Sequence, residues 1–516
     1  MATYTLKAGT SWNDVWARCR AVAPEAFDVD RSRNLVAGQW VASGEVAPHQ
    51  LSIDGSQIAG PPLIDEPEAQ RAIAAATAAH REWGRVSLDE RRARVAKAVE
   101  LLAGQRELLA LLLVWEIGKP WRLACADVDR ALDGVRWYLG EIERQLQGRA
   151  PLPGPVSNIA SWNYPMSVLV HAELVQLLAG NAVVSKTPSQ GGFHCLTLAH
   201  AMLHRAGLPV TLVSGVGARI GSTLVRGPGL GALAFVGGRA NGRRVALDLA
   251  DTGRRYMLEE EGLNAWGVWD FSNWAELGAH LKKGFEYGKQ RCTAYPRYVV
   301  QRRLLPEFLE MYLGVVGRVR FGHPLAVERP DDDFPELDFG PVISASKAVE
   351  MGELFASAVG SGGAPVARRL LEHGRFLPGQ DTSGYVPPAC VLEPPASWEL
   401  RHREPFGPLD SIVLVDTETQ WLAEMNVSNG ALVASIATDD LGFAARIRDE
   451  IRAFKVGINK PRSRGDREEV FGGRGASWRG AFVGGDLLVA AVTHPRHGGP
   501  DELYGNFEQY SRYPVT

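Results

Sequence analysis

Five cysteines are spread through 516 residues, and one stands in a setting suited to nucleophilic chemistry. Cys292 ends the run Gly288-Lys289-Gln290-Arg291-Cys292, just beyond an amphipathic stretch from Trp274 to Tyr287. Two cations within three residues, and a helix N-terminus beginning at the cysteine, would raise its thiolate fraction. Cys19, Cys125, Cys195 and Cys390 sit in helix- or strand-like contexts and read as small buried hydrophobes. His171, His194, His200 and His204 fall on helical segments, and no histidine occupies a Gly-rich strand end that would present it to Cys292. A thiol without a histidine base points to chemistry in which a carboxylate acts at a later step.

Glu259 is the candidate carboxylate. In Leu258-Glu259-Glu260-Glu261-Gly262 it closes a strand-like run, and strand ends are where open α/β sheets gather ligands. Three consecutive glutamates also fit a solvated edge. Asn163, in Ser161-Trp162-Asn163-Tyr164-Pro165, follows another strand. Its amide N–H suits donation to an oxyanion, and its side chain equally suits capping of the next helix. Two glycine turns, Gly215-Val216-Gly217 through Gly221 and Gly237-Gly238, each follow a strand and open a helix. Both would aim backbone N–H groups at phosphate, although the first spacing is GxGxxxG rather than the dinucleotide GxGxxG.

These pieces need a scaffold that brings them together. Asn34 to Ala42 alternates about a glycine turn and predicts a hairpin. Helical periodicity covers Glu66 to Trp83, Arg91 to Val114 (with Ser87 and Glu90 as capping signal) and Ala124 to Gln147. Gly148 to Val156 is Pro/Gly-rich and extended. From Val156 the rhythm changes to short strands at Val156–Ala160, Ala182–Ser185, Val210–Ser214, Ala232–Val236 and Arg254–Leu258. Helices are expected between them at Ser167–Leu178, Gly191–Arg205, Ala218–Val225 and Gly242–Asp251. Such alternation predicts a doubly wound parallel sheet covered on both faces. A second α/β unit follows from Asn264, with Trp266–Trp269 as strand and Trp274–Tyr287 as helix. The first 33 residues lack a clear period and read as an extension, and Arg329 to Glu336 reads as a solvated loop.

Composition narrows the classes. Fifty-six Lys plus Arg against fifty-nine Asp plus Glu gives a formal charge of -3, which calls for neither nucleic acid nor an anionic membrane. The longest apolar run, Leu108 to Trp115, falls far short of the roughly 20 residues of a spanning helix. The N-terminus lacks a basic region followed by an apolar one, so no secretory signal is expected. An odd number of scattered cysteines, with no CxxC and no HExxH, fits neither a disulfide framework nor a metal cluster. The expectation is a soluble, cytoplasmic, metal-free, multi-domain enzyme.

The order of the motifs carries more than any one of them. WNYP, VVSKTPSQ, GVGARIG, FVGG, LEEEG, GKQRC, REPFGP and FGGRGAS resemble, in sequence order, the aldehyde dehydrogenase superfamily. Glu259 and Cys292 lie 33 positions apart, about the family separation. The resemblance implies a Rossmann-like NAD(P)-binding domain (34–131 and 153–261), an α/β catalytic domain (262–478) and a small β bridging arm (132–152 and 485–516), after the N-terminal extension (1–33). It implies Cys292 as nucleophile, Asn163 as oxyanion donor and Glu259 as the base that hydrolyses a thioester. It also implies a homodimer or homotetramer. Lys186 resembles the lysine on the adenosine ribose, and Glu404 with Phe406 the pair that places the nicotinamide ribose and ring. The turns at Trp162 and at Gly237-Gly238 would cradle the pyrophosphate, with Gly217 and Gly221 at the cofactor helix.

Departures from the pattern have consequences. Ser189 stands where NAD-preferring members often carry a glutamate; without that charge a 2′-phosphate is tolerated, so NADP is favoured over NAD. Gly238 replaces a usual serine, Glu260-Glu261 replace Leu-Gly, Leu263 replaces a lysine, and Gly430-Ala431-Leu432 is a loose match. An altered cleft, or a non-catalytic binding relative, is one reading of these changes. A coenzyme-A-acylating enzyme is another, although that class generally dispenses with the base at Glu259.

Overall fold

The computed structural model describes residues 3–428, 430–462 and 467–505. Two sheets organise the chain. The first contains β1 (Asn34–Val36), β2 (Gln39–Val41), β3 (Val156–Ile159), β4 (Val183–Lys186), β5 (Val210–Val213), β6 (Ala232–Val236) and β7 (Arg255–Glu259). The second contains β8 (Ala265–Val268), β9 (Arg297–Gln301), β10 (Ala364–Arg368), β11 (Ala389–Leu392), β12 (Leu409–Val415), β13 (Ala431–Ala437) and β14 (Ala453–Ile458). A late strand, β15 (Trp478–Gly480), returns to the first sheet. The strand orders are β15-β7-β6-β3-β4-β5-β1-β2 and β10-β11-β12-β9-β8-β13-β14.

Strands β3 to β7 are mutually parallel, so Ile159, Lys186, Val213, Val236 and Glu259 all end on one edge. The strand order reverses between β3 and β6. Crossovers leave there toward opposite faces, which opens a crevice at the carboxyl ends. That crevice holds both the Ser161–Asn163 turn and Gly237-Gly238.

The helices are α1 (Trp12–Val22), α2 (Glu66–Trp83), α3 (Leu88–Ala103), α4 (Arg106–Ile117), α5 (Trp121–Gln145), α6 (His171–Leu178), α7 (Phe193–Arg205), α8 (Gly217–Arg226), α9 (Arg239–Leu249) and α10 (Trp274–Gly284). Asp65 and Glu68 form a capping box at α2, and the Ser87 hydroxyl accepts the Glu90 N–H at α3. The single helix expected from Arg91 to Val114 is two, broken at Gly104-Gln105. In α4 every residue from Leu108 to Ile117 is buried, so it is a core helix rather than one with a wet face. Nor are residues 3–33 a loose extension. Helix α1 buries Val15 and Cys19, and the Trp115 indole N–H donates to Thr10 O at 2.8 Å. Of the expected arm, residues 132–145 lie in α5, and Arg149–Pro151 pairs antiparallel with Thr493–Pro495; residues 506–516 lie outside the described residues. No helix among the described residues is long and apolar enough to cross a membrane.

Candidate active site

The thiol is set by a loop the backbone would not adopt unaided. After α10, Tyr287, Gly288 and Lys289 all have left-handed φ, near 60°, and only one of the three is glycine. Packing over-determines this conformation. The Tyr287 N–H donates to Asp338 O at 2.8 Å and its hydroxyl to Ile117 O at 3.1 Å. Lys289 is buried, and its Nζ donates to both Asp410 oxygens (2.6 and 2.8 Å), to Tyr295 O and to the Tyr298 hydroxyl. The Asn264 amide donates to Cys292 O and Ala294 O, each at 2.7 Å, while its oxygen accepts the N–H groups of Leu432 and Val433. Asn264 thereby ties the thiol loop to β13.

Two sequence expectations about Cys292 change. No helix begins at the cysteine, which lies in a turn, because the left-handed residues before it end the helical path. Nor is Lys289 available to the thiol, because its charge is spent on Asp410; Arg291 donates to Gly284 O at 3.0 Å. Cys292 is nonetheless the one partly exposed thiol of the five. Burial pushes Cys19 up to about 12 and raises Cys195 and Cys390 well above the ordinary thiol range.

Asn163 follows β3, just before a π-helical turn at Pro165–Val170 that leads into α6. It is buried, donates through Nδ2 to Gln290 O at 3.1 Å and accepts from the Ser161 hydroxyl at 2.5 Å. Its amide therefore lies against the thiol loop two residues before the cysteine. Behind it, Lys119 Nζ sits 3.8 Å above the Tyr164 ring and pairs with Asp127 at 2.7 Å, both ends buried.

Glu259 is the last residue of β7 and only 2% exposed. The next two glutamates go elsewhere. Glu260 is buried against Arg479 at 2.7 Å, and desolvation pushes it up to about 7 against the pull of that arginine. Glu261 accepts the Arg239 N–H at 3.1 Å, at the start of α9. Glu404 is buried, with both oxygens lacking a hydrogen bond of good geometry, although the Gly262 N–H acts on it. Burial, then the nearby Glu261 charge, holds it well above the ordinary carboxylate range. Phe406 adopts φ 52°, and its ring meets Trp162 edge-on at 5.8 Å.

A single cleft of about 360 Å³ is lined by Trp162, Asn163, Gly237, Gly238, Glu259, Cys292, Glu404 and Phe406. A thiol, an amide, carboxylates, aromatic rings and a glycine turn thus line one volume. A sequence model of the aldehyde dehydrogenase family matches residues 40–495. The chain belongs to the aldehyde dehydrogenase family. It is 29% identical over 464 residues to an α-ketoglutarate semialdehyde dehydrogenase of Haloferax volcanii, covering 86% of this chain and 93% of the relative. It is 26% identical to a succinate semialdehyde dehydrogenase of Acinetobacter baylyi, covering 83% of this chain and 89% of that one. Among solved structures it resembles the NADP-dependent glyceraldehyde-3-phosphate dehydrogenase of Bacillus halodurans complexed with NADP. That match has TM-score 0.80 and 26% identity, and covers 90% of this chain and 98% of the other. The chain is accordingly an NAD(P)-dependent oxidoreductase that converts an aldehyde to an acid.

In this aldehyde dehydrogenase the remaining sequence candidates lie outside the thiol cleft. Lys186 ends β4, two strands from β6 and therefore roughly 10 Å along the edge. It is buried, donates to Thr187 O at 2.9 Å and is pushed down to about 8 by desolvation. Ser189 is exposed beyond it, Gly217 is exposed at the start of α8, and Gly221 lies within α8. The residues that sequence reasoning missed are Asn264, Asp410 and Lys347, the last a cleft-lining cation. Only Asn264, next to the glutamate motif, had a local signal. Among the described residues no cluster of His, Cys, Asp or Glu could hold a metal ion.

Proposed function

We propose that Cys292 attacks the aldehyde carbon while the Asn163 amide and the Cys292 backbone N–H hold the developing oxyanion. What supports this is the convergence of that thiol, that amide and Glu259 on one cleft. Bound NADP supplies a hydride acceptor for the resulting thiohemiacetal. The Cys292 thioester that remains is hydrolysed by water whose proton passes to Glu259, releasing a carboxylic acid and restoring the thiol.

The residues present fit the cofactor. Glu404 offers two buried oxygens without well-formed partners, which a vicinal ribose diol would supply with donors. Gly237 packs against the Phe235 ring, where a Cβ would stand 2.7 Å away, so the turn beside the cleft carries no side chain there. We assign the nicotinamide end to Glu404, Phe406 and Trp162, the pyrophosphate to Gly237-Gly238, and the adenosine end to Lys186 and Ser189 beside Gly217 and Gly221. The absence of a carboxylate at Ser189 favours NADP over NAD.

The substrate we propose carries an anionic end. Two of the curated relatives, at 29% and 26% identity, act on acidic semialdehydes by name, and Lys347 and Arg403 line the cleft as cations. We further propose a homo-oligomer, dimer or tetramer, joined through the sheet of Arg149–Pro151 and Thr493–Pro495, working in the cytoplasm, where five free cysteines stay reduced. The deciding measurement is kcat/KM for aliphatic, aromatic and acidic semialdehydes with NADP and NAD in turn. A preference for NADP and an acidic semialdehyde is expected, and Cys292→Ser abolishes turnover. A strong NAD preference overturns the Ser189 assignment, and turnover by the serine variant overturns the nucleophile.

A further inference from the structure

We infer that Glu261 is a built-in competitor for the phosphate seat of the cleft, so that this chain's affinity for a dinucleotide is set by how readily that carboxylate is displaced. The inference rests on the cofactor assignment above and adds a residue that controls it.

Helix α9 has eleven residues and is preceded by Gly238 at its N-cap, whose lack of a side chain leaves the terminal N–H groups without the usual Ser, Thr or Asp cap. Such a terminus attracts anions through its unpaired N–H groups and its dipole. Here an anion already stands there, because Glu261 Oε1 accepts the Arg239 N–H at 3.1 Å. A Cβ at position 238 would lie 3.3 Å from that same oxygen and crowd it slightly.

A second, independent feature points into the same volume. Glu404 is 4% exposed, lines the cleft and has no well-formed partner for either oxygen. It also feels the Glu261 charge as the largest effect after burial. Lys347 and Arg239 oppose that charge. The cleft is therefore organised around negative charge that it supplies to itself. A phosphate arriving at α9 must take the Arg239 N–H from Glu261 and come to rest beside it. Neutralising the glutamate removes the repulsion, shortening it removes the competing acceptor as well, and the cations stay in both cases.

The test titrates NADPH, followed by energy transfer from the protein's tryptophans, into the wild type, Glu261→Ala and Glu261→Gln, with adenosine as a phosphate-free control. The dissociation constant for NADPH should fall at least tenfold in the alanine variant and by a smaller factor in the glutamine variant, which keeps an acceptor for the Arg239 N–H. Adenosine binding should not change. Amide hydrogen exchange at Arg239 should speed up in free Glu261→Ala and slow again on adding NADPH. Unchanged or weaker NADPH binding in both variants overturns the competitor role and leaves the cofactor assignment standing. Tightening shared equally by adenosine also overturns it, since phosphate would not be what is competed for. Failure of NADPH to bind any of the three overturns the cofactor assignment and this inference with it.

Discussion

Replacing Asp410 by asparagine should damage the thiol loop more than replacing the whole ion pair with hydrocarbon. Lys289 and Asp410 side chains are 2% and 0% exposed and meet at 2.6 Å. Their mutual attraction at an effective dielectric of 20 is about 6 kcal/mol, set against desolvation of both ions. Breaking one side of such a pair costs about 3–5 kcal/mol, because the remaining charge stays buried. In Asp410→Asn the ammonium keeps Tyr295 O and the Tyr298 hydroxyl, which argues for the lower end, near 3 kcal/mol. The unfolding entropy of a 516-residue chain is roughly 1 kcal/mol per degree, so Tm should drop by about 3 °C. The double variant Lys289→Met with Asp410→Leu removes both charges and should lose clearly less. Burial already lowers Lys289 below the ordinary lysine range, and loss of Asp410 lowers it further. The unfolded chain then binds the extra proton at alkaline pH, so stability of the single variant recovers as pH rises toward the ordinary lysine value. Calorimetry supplies Tm, and iodoacetamide labelling reports the loop, since Cys292 is the one partly exposed thiol. Equal Tm losses in the single and double variants, with unchanged labelling, would refute the claim that this pair holds the loop.

Glu259→Gln should let a covalent acyl-enzyme accumulate, visible by intact mass spectrometry after mixing with aldehyde and cofactor; normal turnover rejects the base assignment. Asn163→Ala should lower kcat by about 10²–10³ with little change in thermal stability, as expected for an oxyanion donor. Burial pushes Glu116 up to about 8 although it accepts the His194 and Cys195 N–H groups. The folded state thus prefers its protonated form, a contribution of order a few kcal/mol that is complete below the unfolded value of 4.5 and lost as pH rises through about 8. Glu116→Gln should flatten the fall of Tm between about pH 4.5 and 8, and an unaltered slope in that window would show that Glu116 is not its source.

How much of this was legible beforehand follows the range of the interactions. The parallel sheet was legible because strand and helix periodicities are local, and the strand ends at Val236 and Glu259 then placed their neighbouring motifs on one edge. The break at Gly104-Gln105 was not, because α4 is apolar all round and gives no amphipathic signal of its own start. The π-helical turn after Asn163 and the left-handed run before Cys292 were equally hidden, since both are imposed by packing. The partner of Lys289 lies 121 residues away, and no local pattern distinguishes Asp410 from any other aspartate in a strand. Reading Lys289 as an activator of the thiol failed for that reason: proximity in sequence says nothing of which anion a buried cation will find.

The three glutamates ending β7 show how one short segment can serve several tasks that a motif comparison would lump together as divergence. Glu259 faces the thiol cleft. Glu260 turns under α9, where its Oε1 accepts from Arg479 and where a Cβ on Gly242 would stand 2.4 Å from its carboxyl carbon. Glu261 reaches the first N–H of the same helix. Gly242 is thus the complement of Glu260, since the side chain missing from α9 makes room for the one added after β7.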